Sequence, residues 1–268
     1  MNAQTVTLSE VEAALAALAV PAPAALAPST LTAVGLADEY AVLATPIGGV
    51  HVAWNGLGVS TLDRVPDDAT FEARFGTAIG RPLRRVDAVP ERLARAIERR
   101  LAGDRRVRLP LDLRGRTPFE QAVWLKALEI PRGEVRPYGW IAAEIGRPRA
   151  VRAVGTALAH NPVPLVVPCH RVVRSDGLLG NYSLGGPAVK REILAAEGLD
   201  PDELERLARA GIRYFGSDTT RIYCLPTCRH ARRVTDHHRQ MFRSARASEA
   251  AGYRACKVCR PGSAARAA

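Results

Sequence analysis

The amino-acid sequence predicts an α/β unit, a mainly helical unit and a small cysteine-rich module, in that order along the chain. Three observations predict this arrangement. Short apolar segments separated by glycine-containing turns occupy residues 40–63, a helix-turn-helix pattern occupies residues 138–159, and four of the five cysteines lie in the last 45 residues. At 268 residues, the chain is long enough for two or three small domains that each bury a core.

The α/β unit is predicted over residues 40–112. Its segments YAVLAT, GVHVAW and GVSTLD indicate antiparallel strands, because PIGG and NGLG between them are typical of tight turns. Two helical segments follow, ATFEARFG and PERLARAIERRLAG, and RVRLPLDL then alternates like a further strand. Residues 1–39 are rich in Ala and Pro, and we expect a loosely attached extension with one helix near Leu8–Leu18.

The helical unit is predicted over residues 113–199. Thr117 can cap a helix that has Pro118 at its first position, and Glu120 completes the capping-box pattern. The segment PYGWIAAEIGRPRAVRAVGTALAHNP predicts two short helices joined by a turn at Gly146–Pro148. This spacing is the pattern of a helix-turn-helix.

The formal net charge of +11 is unevenly distributed. Residues 1–103 have a net charge of −2, residues 104–200 of +5 and residues 203–268 of +9. This excess indicates a polyanionic partner, although an arginine-rich codon bias, with 3 lysines among 38 basic residues, would produce the same count. Because no apolar run is as long as a membrane span and the N-terminus lacks a signal-peptide pattern, we expect a soluble cytoplasmic protein.

Cys169 lies apart from the other cysteines, in the apolar segment VVPCHRVV and next to His170. In an extended strand these neighbouring side chains would point to opposite faces, so contact between them requires a turn, which Pro168 favours. A thiol in apolar surroundings is inert unless a base stabilises its thiolate form. The residues alone leave two interpretations open: a small buried hydrophobe, or a nucleophile activated by the histidine through a water molecule.

The stretch NPVPLVVPCHRVV, with PYGWIAAEIG and AVRAVG before it and GNYSLGG and AAEG after it, resembles the O6-alkylguanine-DNA alkyltransferase family. The resemblance covers roughly residues 118–198. It implies an N-terminal RNase H-like α/β domain, which residues 40–112 match only in general pattern, and a winged-helix-like alkyltransferase domain. It also implies a monomeric DNA-repair protein that irreversibly transfers the alkyl group of O6-methylguanine in double-stranded DNA to its own cysteine. The lesion can be reached only when the base is flipped out of the stack.

The resemblance also implies roles for single positions. Cys169 would be the alkyl acceptor, His170 the base that acts through water, and Glu197 the carboxylate that orients His170. NYSLGG is one residue longer than the family spacing, which affects the register of Glu197 and Ser183. The remaining implied positions are Asn161 bracing the turn before the cysteine, Tyr138 assisting at the guanine, Arg152 filling the gap in the base stack and Ser183 in the loop that lines the pocket.

Small residues mark the second helix of the helix-turn-helix. Ala150, Ala153 and Gly155 would let its backbone approach DNA closely, and the resemblance implies that this helix enters the minor groove. Small residues at helical spacing are also typical of tight helix packing, and the sequence leaves both interpretations open.

The cysteine-rich module is predicted over residues 213–262, after a helical linker at 200–212 and before a tail at 263–268. CLPTC and CKVC give Cys-x3-Cys, a gap of 27 residues and Cys-x2-Cys, which predicts a four-thiolate zinc site and no organic cofactor. The predicted ligands are Cys224, Cys228, Cys256 and Cys259. A module this small is expected to need the metal in order to fold.

The segment YFGSDTTRIYCLPTC through AAGYRACKVCRPG resembles the zinc domain of bacterial adaptive-response (Ada-type) proteins. The resemblance implies that Cys224 accepts methyl groups from DNA phosphotriesters. The alternative is a structural zinc that holds an arginine-rich DNA-binding surface. For the whole chain two alternatives remain: a non-catalytic protein that binds alkyl lesions, disfavoured by the presence of Cys169, and a Cys-His-Glu hydrolase, disfavoured by the helix-turn-helix and the basic charge.

Overall fold

The computed structural model of the chain describes residues 7–9, 11–12, 26–45 and 47–263. Most of the helix predicted near Leu8–Leu18, Pro46 of the predicted PIGG turn, and the tail after residue 263 lie outside the described residues. None of the helices in the described ranges is long and apolar enough to cross a membrane.

The α/β unit is built around a four-stranded sheet with the order β3-β2-β1-β4. The first three strands form an antiparallel meander, and β4 pairs with β1 in parallel. The strands are β1 (Asp38–Thr45), β2 (Gly48–Asn55), β3 (Gly58–Asp63) and β4 (Leu83–Arg85); the helices are α1 (Leu26–Ala33), α2 (Asp68–Ala78) and α3 (Glu91–Leu101).

The α/β unit begins earlier than the predicted boundary at residue 40. Asp38 is fully buried in β1, where it accepts hydrogen bonds from Ser60 and Arg81. The backbone N–H of Gly56 donates to the carbonyl of Thr32 in α1 over 2.8 Å. The expectation of a loosely attached extension is therefore wrong for residues 26–39, because these residues supply backbone and carboxylate partners to the sheet.

The strand expected at RVRLPLDL does not form. Leu111 makes a single bridge to Val59, since the pairing is limited to the Pro110 carbonyl and the Asp112 N–H on either side of it. Pro110 has no N–H to extend the ladder. The buried Asp112 carboxylate instead accepts hydrogen bonds from Asn55 and Arg114. The fourth strand is instead β4, which joins the opposite edge of the sheet next to β1, and its residues carry no alternating pattern that predicts it.

The helical unit contains the predicted helix-turn-helix and shares one apolar core with the α/β unit. Its helices are α4 (Pro118–Ala127), α5 (Tyr138–Glu144), α6 (Val151–Ala159) and α7 (Gly186–Ala196), and its short parallel strands are β5 (Arg136–Pro137) and β6 (Val172–Val173). The Thr117–Glu120 capping box is present at the start of α4, as predicted. The buried indole N–H of Trp124 donates to the Ala157 carbonyl over 2.8 Å, which locks α4 against α6.

The cysteine-rich module has its own sheet, with the order β10-β8-β7-β9. It is preceded by α8 (Pro201–Arg209) and comprises β7 (Tyr214–Ser217), β8 (Ile222–Cys224), β9 (Arg239–Phe242), α9 (Ala245–Ala250) and β10 (Arg254–Ala255). The four cysteines pack with Leu207 and Phe215 in a separate small core. A core this small indicates that the module depends on the cysteines for stability.

Candidate active site and cysteine centre

Cys169 begins a 3₁₀ turn, Cys169–Arg171, rather than continuing an extended strand. Pro168 precedes the turn, and the backbone N–H of Arg171 donates to the Pro168 carbonyl over 2.9 Å. Because the backbone turns here, the side chains of Cys169 and His170 need not point to opposite faces, as they would in a strand. The Cys169 side chain is buried, with 5% of its surface exposed.

Asn161 connects the end of α6 to the cysteine. Its side-chain N–H₂ donates to the Val167 carbonyl over 2.9 Å and to the Cys169 sulfur over 3.2 Å. Its side-chain oxygen accepts the Val163 N–H over 3.0 Å. Asn161 therefore holds the loop before the turn and also supplies a hydrogen bond that favours a negatively charged sulfur.

His170 and Glu197 form a buried pair next to Cys169. The Nε2 atom of His170 lies 2.9 Å from Oε1 of Glu197, and the other ring nitrogen, Nδ1, has no hydrogen-bond partner among the described groups. Burial lowers the pKa of His170, opposed by its hydrogen bond to Glu197. Burial also raises the pKa of the Cys169 thiol, opposed by the hydrogen bond from Asn161. Burial therefore favours the neutral form of both the thiol and the imidazole.

Arg171 is a site residue that sequence reasoning missed. Its Nε donates to both carboxylate oxygens of Glu197 over 3.0 Å, and its Nη1 donates to the Ile130 carbonyl over 2.8 Å. Burial opposes ionisation of Glu197, but hydrogen bonds from His170 and Arg171 lower its pKa to about 2. An arginine inside an apolar run was the available signal, because a buried guanidinium requires a buried anion.

Lys190 was also missed. Its side chain is fully buried, and its Nζ donates to the carbonyls of Val172 and Leu179 over 2.6 Å each. Burial lowers the pKa of Lys190 to about 8, opposed by the charge of the Cys169 thiolate. Tyr182 lies edge-on to His170, with ring centroids 6.1 Å apart. The position of Lys190 among the apolar residues of α7 gave no signal that distinguishes it from a solvent-exposed helix lysine.

The helix-turn-helix brings Tyr138 and α6 to the same side as the cysteine. Burial, and then the nearby Cys169 charge, raise the pKa of Tyr138. A Cβ atom on Gly155 would lie 4.0 Å from the Tyr138 ring. Arg152 and Ala153 are exposed on α6, and the Arg152 side chain has no ion pair among the residues described here. Ala150 is half-buried at the start of α6.

A cavity of about 580 Å³ lies between α2 and the loop that follows β6. Asn161, Pro164 and Ser183 contribute to its walls, together with Arg74 of α2. Cys169 is not part of its lining, but Asn161, which lines the cavity, donates a hydrogen bond to the Cys169 sulfur. Ser183 itself is exposed on the loop.

The four cysteines of the module form one cluster. The sulfurs of Cys224, Cys228, Cys256 and Cys259 lie within 4.8 Å of one another, and all four side chains are buried. A tetrahedral zinc ion with Zn–S bonds of about 2.3 Å separates its sulfurs by about 3.8 Å, so the donor set fits such an ion in number, type and spacing. His238, which lies between the two cysteine pairs in sequence, instead contacts Asp218 through Nδ1 over 2.9 Å.

A cleft of about 550 Å³ opens onto the cluster. Cys224 and Cys256 contribute to its walls, whereas Cys228 and Cys259 have no exposed surface. The cleft is also lined by the exposed cations Arg233, Arg254 and Lys257, none of which forms an ion pair with any described residue. Unpaired cations around a cleft indicate a binding site for anions.

Comparison with known proteins matches two families. Residues 118–199 match the family "6-O-methylguanine DNA methyltransferase, DNA binding domain", and residues 206–262 match "Metal binding domain of Ada". A methylated-DNA–protein-cysteine methyltransferase of Mycobacterium bovis is 54% identical over 87 residues, which cover 32% of this chain and 52% of that protein. The chain thus spans about half the length of that relative.

Two further relatives match over longer segments. The Escherichia coli bifunctional transcriptional activator/DNA repair enzyme Ada is 39% identical over 156 residues, covering 56% of this chain and 43% of that protein. A methylated-DNA–protein-cysteine methyltransferase of Mycolicibacterium paratuberculosis is 39% identical over 164 residues, covering 59% of this chain and 92% of that protein. Because this last match extends over almost the whole relative, the chain belongs to the methylated-DNA–protein-cysteine methyltransferase family.

Proposed function

We propose that the chain is a single-turnover DNA-repair protein that transfers the methyl group of O6-methylguanine to Cys169. The observation that carries this proposal is the buried sulfur held by Asn161 beside the His170–Glu197–Arg171 network. A buried thiol of this kind is inert without a base, and a buried histidine bonded to a carboxylate is such a base. Since the cysteine is the acceptor and is not regenerated, one molecule repairs one lesion.

The proposed transfer begins with removal of the Cys169 proton. A water molecule between the sulfur and Nδ1 of His170 relays the proton to the ring, while Glu197 holds Nε2–H and stabilises the imidazolium. The thiolate attacks the methyl carbon; the S–C bond forms as the C–O6 bond breaks, and the electron pair leaves on the guanine. Tyr138 assists by donating a hydrogen bond to the departing ring, whose anion then takes up a proton.

The proposed DNA contact is made by α6 in the minor groove of double-stranded DNA. Arg152 occupies the gap left by the flipped nucleotide, and the small residues Ala150, Ala153 and Gly155 let the helix backbone approach the groove. The exposure of Arg152 and Ala153 supports this contact, as does the position of the exposed Ser183 at the cavity.

We propose in addition that Cys224 accepts methyl groups from DNA phosphotriesters. A bound zinc ion would keep the four sulfurs deprotonated and therefore nucleophilic. The S–C bond would form at the Cys224 sulfur as the methyl–oxygen bond breaks, which leaves a phosphodiester anion on the DNA. The location of Cys224 at the cation-lined cleft supports this role over a purely structural one.

We also propose the fold types of the first two domains, the domain limits, the oligomeric state and the location of the protein. The meander followed by a strand parallel to β1 supports an RNase H-like α/β domain, and α4 to α6 with the β5–β6 pair support a winged-helix-like domain. We propose domain limits at 40–112, 113–199 and 213–262, with the first extended back to α1. The protein would act as a monomer on alkylated DNA in the cytoplasm.

Incubation with DNA that carries methyl-labelled O6-methylguanine tests the main proposal. We expect stoichiometric transfer of label to the protein, and loss of transfer in Cys169→Ala with DNA binding retained. Label that stays on tightly bound DNA would establish a non-catalytic lesion binder instead. Label released to solvent over many turnovers would establish a hydrolase.

Mass spectrometry of the wild-type protein after exposure to methylphosphotriester DNA tests the second proposal. We expect the added methyl group on the peptide that contains Cys224. Methylation of Cys256, the other cysteine at the cleft, would assign the acceptor to the second pair. An unmodified cluster, in protein that still binds the DNA, would establish the structural interpretation.

A further inference from the structure

Hydrogen bonds dock the two cysteine loops of the module on the alkyltransferase unit. The backbone N–H of Val135 donates to the hydroxyl of Thr227 over 2.9 Å. The backbone N–H of Arg229 donates to the Glu134 carboxylate over 3.1 Å, and the indole N–H of Trp140 donates to the Cys259 carbonyl over 3.0 Å. Thr227 and Arg229 flank Cys228, so every contact comes from a cluster cysteine or from its neighbour.

These contacts are shielded from water. Glu134, Val135, Trp140 and Thr227 are all buried, with at most 8% of each exposed. Two guanidinium groups lie over the ring of Trp140, that of Arg136 at 5.7 Å and that of Arg260 at 5.3 Å from its centroid. Arg260 follows Cys259 directly and forms an ion pair with Glu144 of α5 over 2.9 Å. Separation of the module would therefore leave the Val135 N–H and the Trp140 indole N–H without their hydrogen-bond partners, while Glu134 would lose the Arg229 N–H and keep its ion pair with Arg136.

The segment that receives these contacts also reaches the catalytic network. The backbone N–H of Gly133 donates to Oε2 of Glu197 over 3.2 Å. Strand β5 pairs Arg136 with Val172, the residue that follows the Cys169–Arg171 turn. Helix α5 then begins at Tyr138. Residues 133–138 thus connect the cysteine loops at one side with Glu197, the acceptor turn and Tyr138 at the other.

We propose that the cysteine module is a positioning element for the alkyltransferase site, with Thr227 as the positioning residue, so that transfer to Cys169 is fast only while the metal cluster is formed. This inference rests on the proposed transfer to Cys169. The cluster fixes the loop that carries Thr227, the hydroxyl fixes Val135, and the segment holds the Gly133 N–H on Glu197. Loss of that hydrogen bond would leave the Glu197 carboxylate, which orients His170, less firmly held.

Single-turnover measurement of the methyl-transfer rate on O6-methylguanine DNA tests the inference. Thr227→Val removes the hydroxyl with little change of shape, Thr227→Ser retains it, and Met241→Ala changes an exposed residue of the same module. We expect the rate constant of methyl transfer to be about tenfold lower in Thr227→Val and in chelator-treated wild type. Thr227→Ser and Met241→Ala should retain the wild-type rate.

The amplitude and the pH profile separate positioning from a loss of folded protein. A structural defect lowers the fraction of molecules that become methylated, whereas a positioning defect lowers the rate constant and shifts its pH dependence. Wild-type rate constants and pH profiles in both Thr227→Val and the chelated protein would overturn the inference.

Hydrogen exchange provides a readout that does not depend on the reaction. We expect the amides of Gly133 and Val135 to be protected in the metal-loaded wild type and to exchange faster after chelation or in Thr227→Val. Unchanged protection would also overturn the inference. If wild type transfers no methyl group while the exchange pattern follows the metal, the proposed function fails but the coupling between module and segment holds.

Discussion

Glu197 is bound by three groups of different chemical type: the His170 ring, the Arg171 guanidinium and the Gly133 N–H. A carboxylate with this many donors is an anion at every physiological pH. In the proposed transfer, Glu197 would hold a proton on Nε2 of His170, which leaves Nδ1, a nitrogen without a hydrogen-bond partner among the described groups, as the proton acceptor.

Glu197→Gln is expected to destabilise the protein in a pH-dependent manner. The pKa of Glu197 falls from its ordinary value of 4.5 to about 2 in the folded protein, so its stabilisation is complete above pH 4.5 and is lost as the pH falls towards 2. The shift corresponds to about 3 kcal/mol. Urea unfolding of both proteins at pH 7 and pH 2 should show a difference in unfolding free energy that narrows by about this amount. A difference that does not vary with pH would contradict the prediction.

Lys190→Met is expected to move the pH dependence of methyl transfer upwards. The buried Lys190 charge lowers the pKa of the Cys169 thiol, and it is present at pH 7 because the pKa of Lys190 is about 8. Without this charge the thiolate forms only at higher pH, so we expect the transfer rate at pH 7 to fall by about tenfold and to recover as the pH rises. Quenched single-turnover assays between pH 6 and pH 9 measure the transfer rate, and the fraction of protein that becomes methylated is the control for folding. An unshifted profile would assign Lys190 to packing alone.

At the scale of elements, the burial of the small residues of α6 distinguishes helix packing from close approach to DNA at each position. Ala157 is buried against the core, so packing explains that position, whereas Ala153 is exposed and packing does not explain it. The helix thus has a packed face and an exposed face, and the proposed DNA contact would use the exposed face.

Gly155→Ala is expected to stabilise the fold and weaken DNA binding. Alanine in a helix interior is more favourable than glycine by about 1 kcal/mol, and the added Cβ meets no atom closer than 4.0 Å. If α6 lies in the minor groove, the same methyl group separates the helix from the DNA, and affinity should fall about tenfold. The matched control is Gly76→Ala in α2, where the Cβ also has free space. Thermal unfolding and fluorescence anisotropy measure the two effects, and equal DNA affinity in both variants would favour the packing interpretation.

Features that depend on residues close together in the sequence could be predicted from it. The capping box at Thr117 depends on two residues three positions apart, and the cysteine pairs depend on spacing alone. The partner of Arg171 lies 26 residues away along the chain, so no local pattern identifies it. RVRLPLDL alternates correctly for a strand, but the buried Asp112 side chain binds Asn55 of β2 and Arg114, and the pairing with β3 is limited to one bridge.

At the scale of the whole molecule, the positive charge is concentrated where the two sulfur sites are. Residues 104–200 carry a net charge of +5 and residues 203–268 of +9, while residues 1–103 carry −2. The docked module adds its field to that of the helix-turn-helix because the two form one buried interface. In the proposed function, long-range attraction would direct the phosphate backbone of DNA to the two later units rather than to the α/β unit.

Removal of the cations at the cleft is expected to reduce the salt dependence of DNA binding. Each phosphate that a cation neutralises releases counterions, so the logarithm of the association constant falls with the logarithm of salt concentration by about 0.9 per contact. Arg254→Ala and Lys257→Ala should each reduce this slope by about 1. The control is Arg95→Ala in α3, whose guanidinium pairs with Glu91 on the α/β unit and should leave the slope unchanged. Titrations of an unmodified duplex at several salt concentrations measure the slopes. Equal slopes in all four proteins would show that the cleft does not contact the DNA backbone, and Cys224 would then have no route to a phosphotriester.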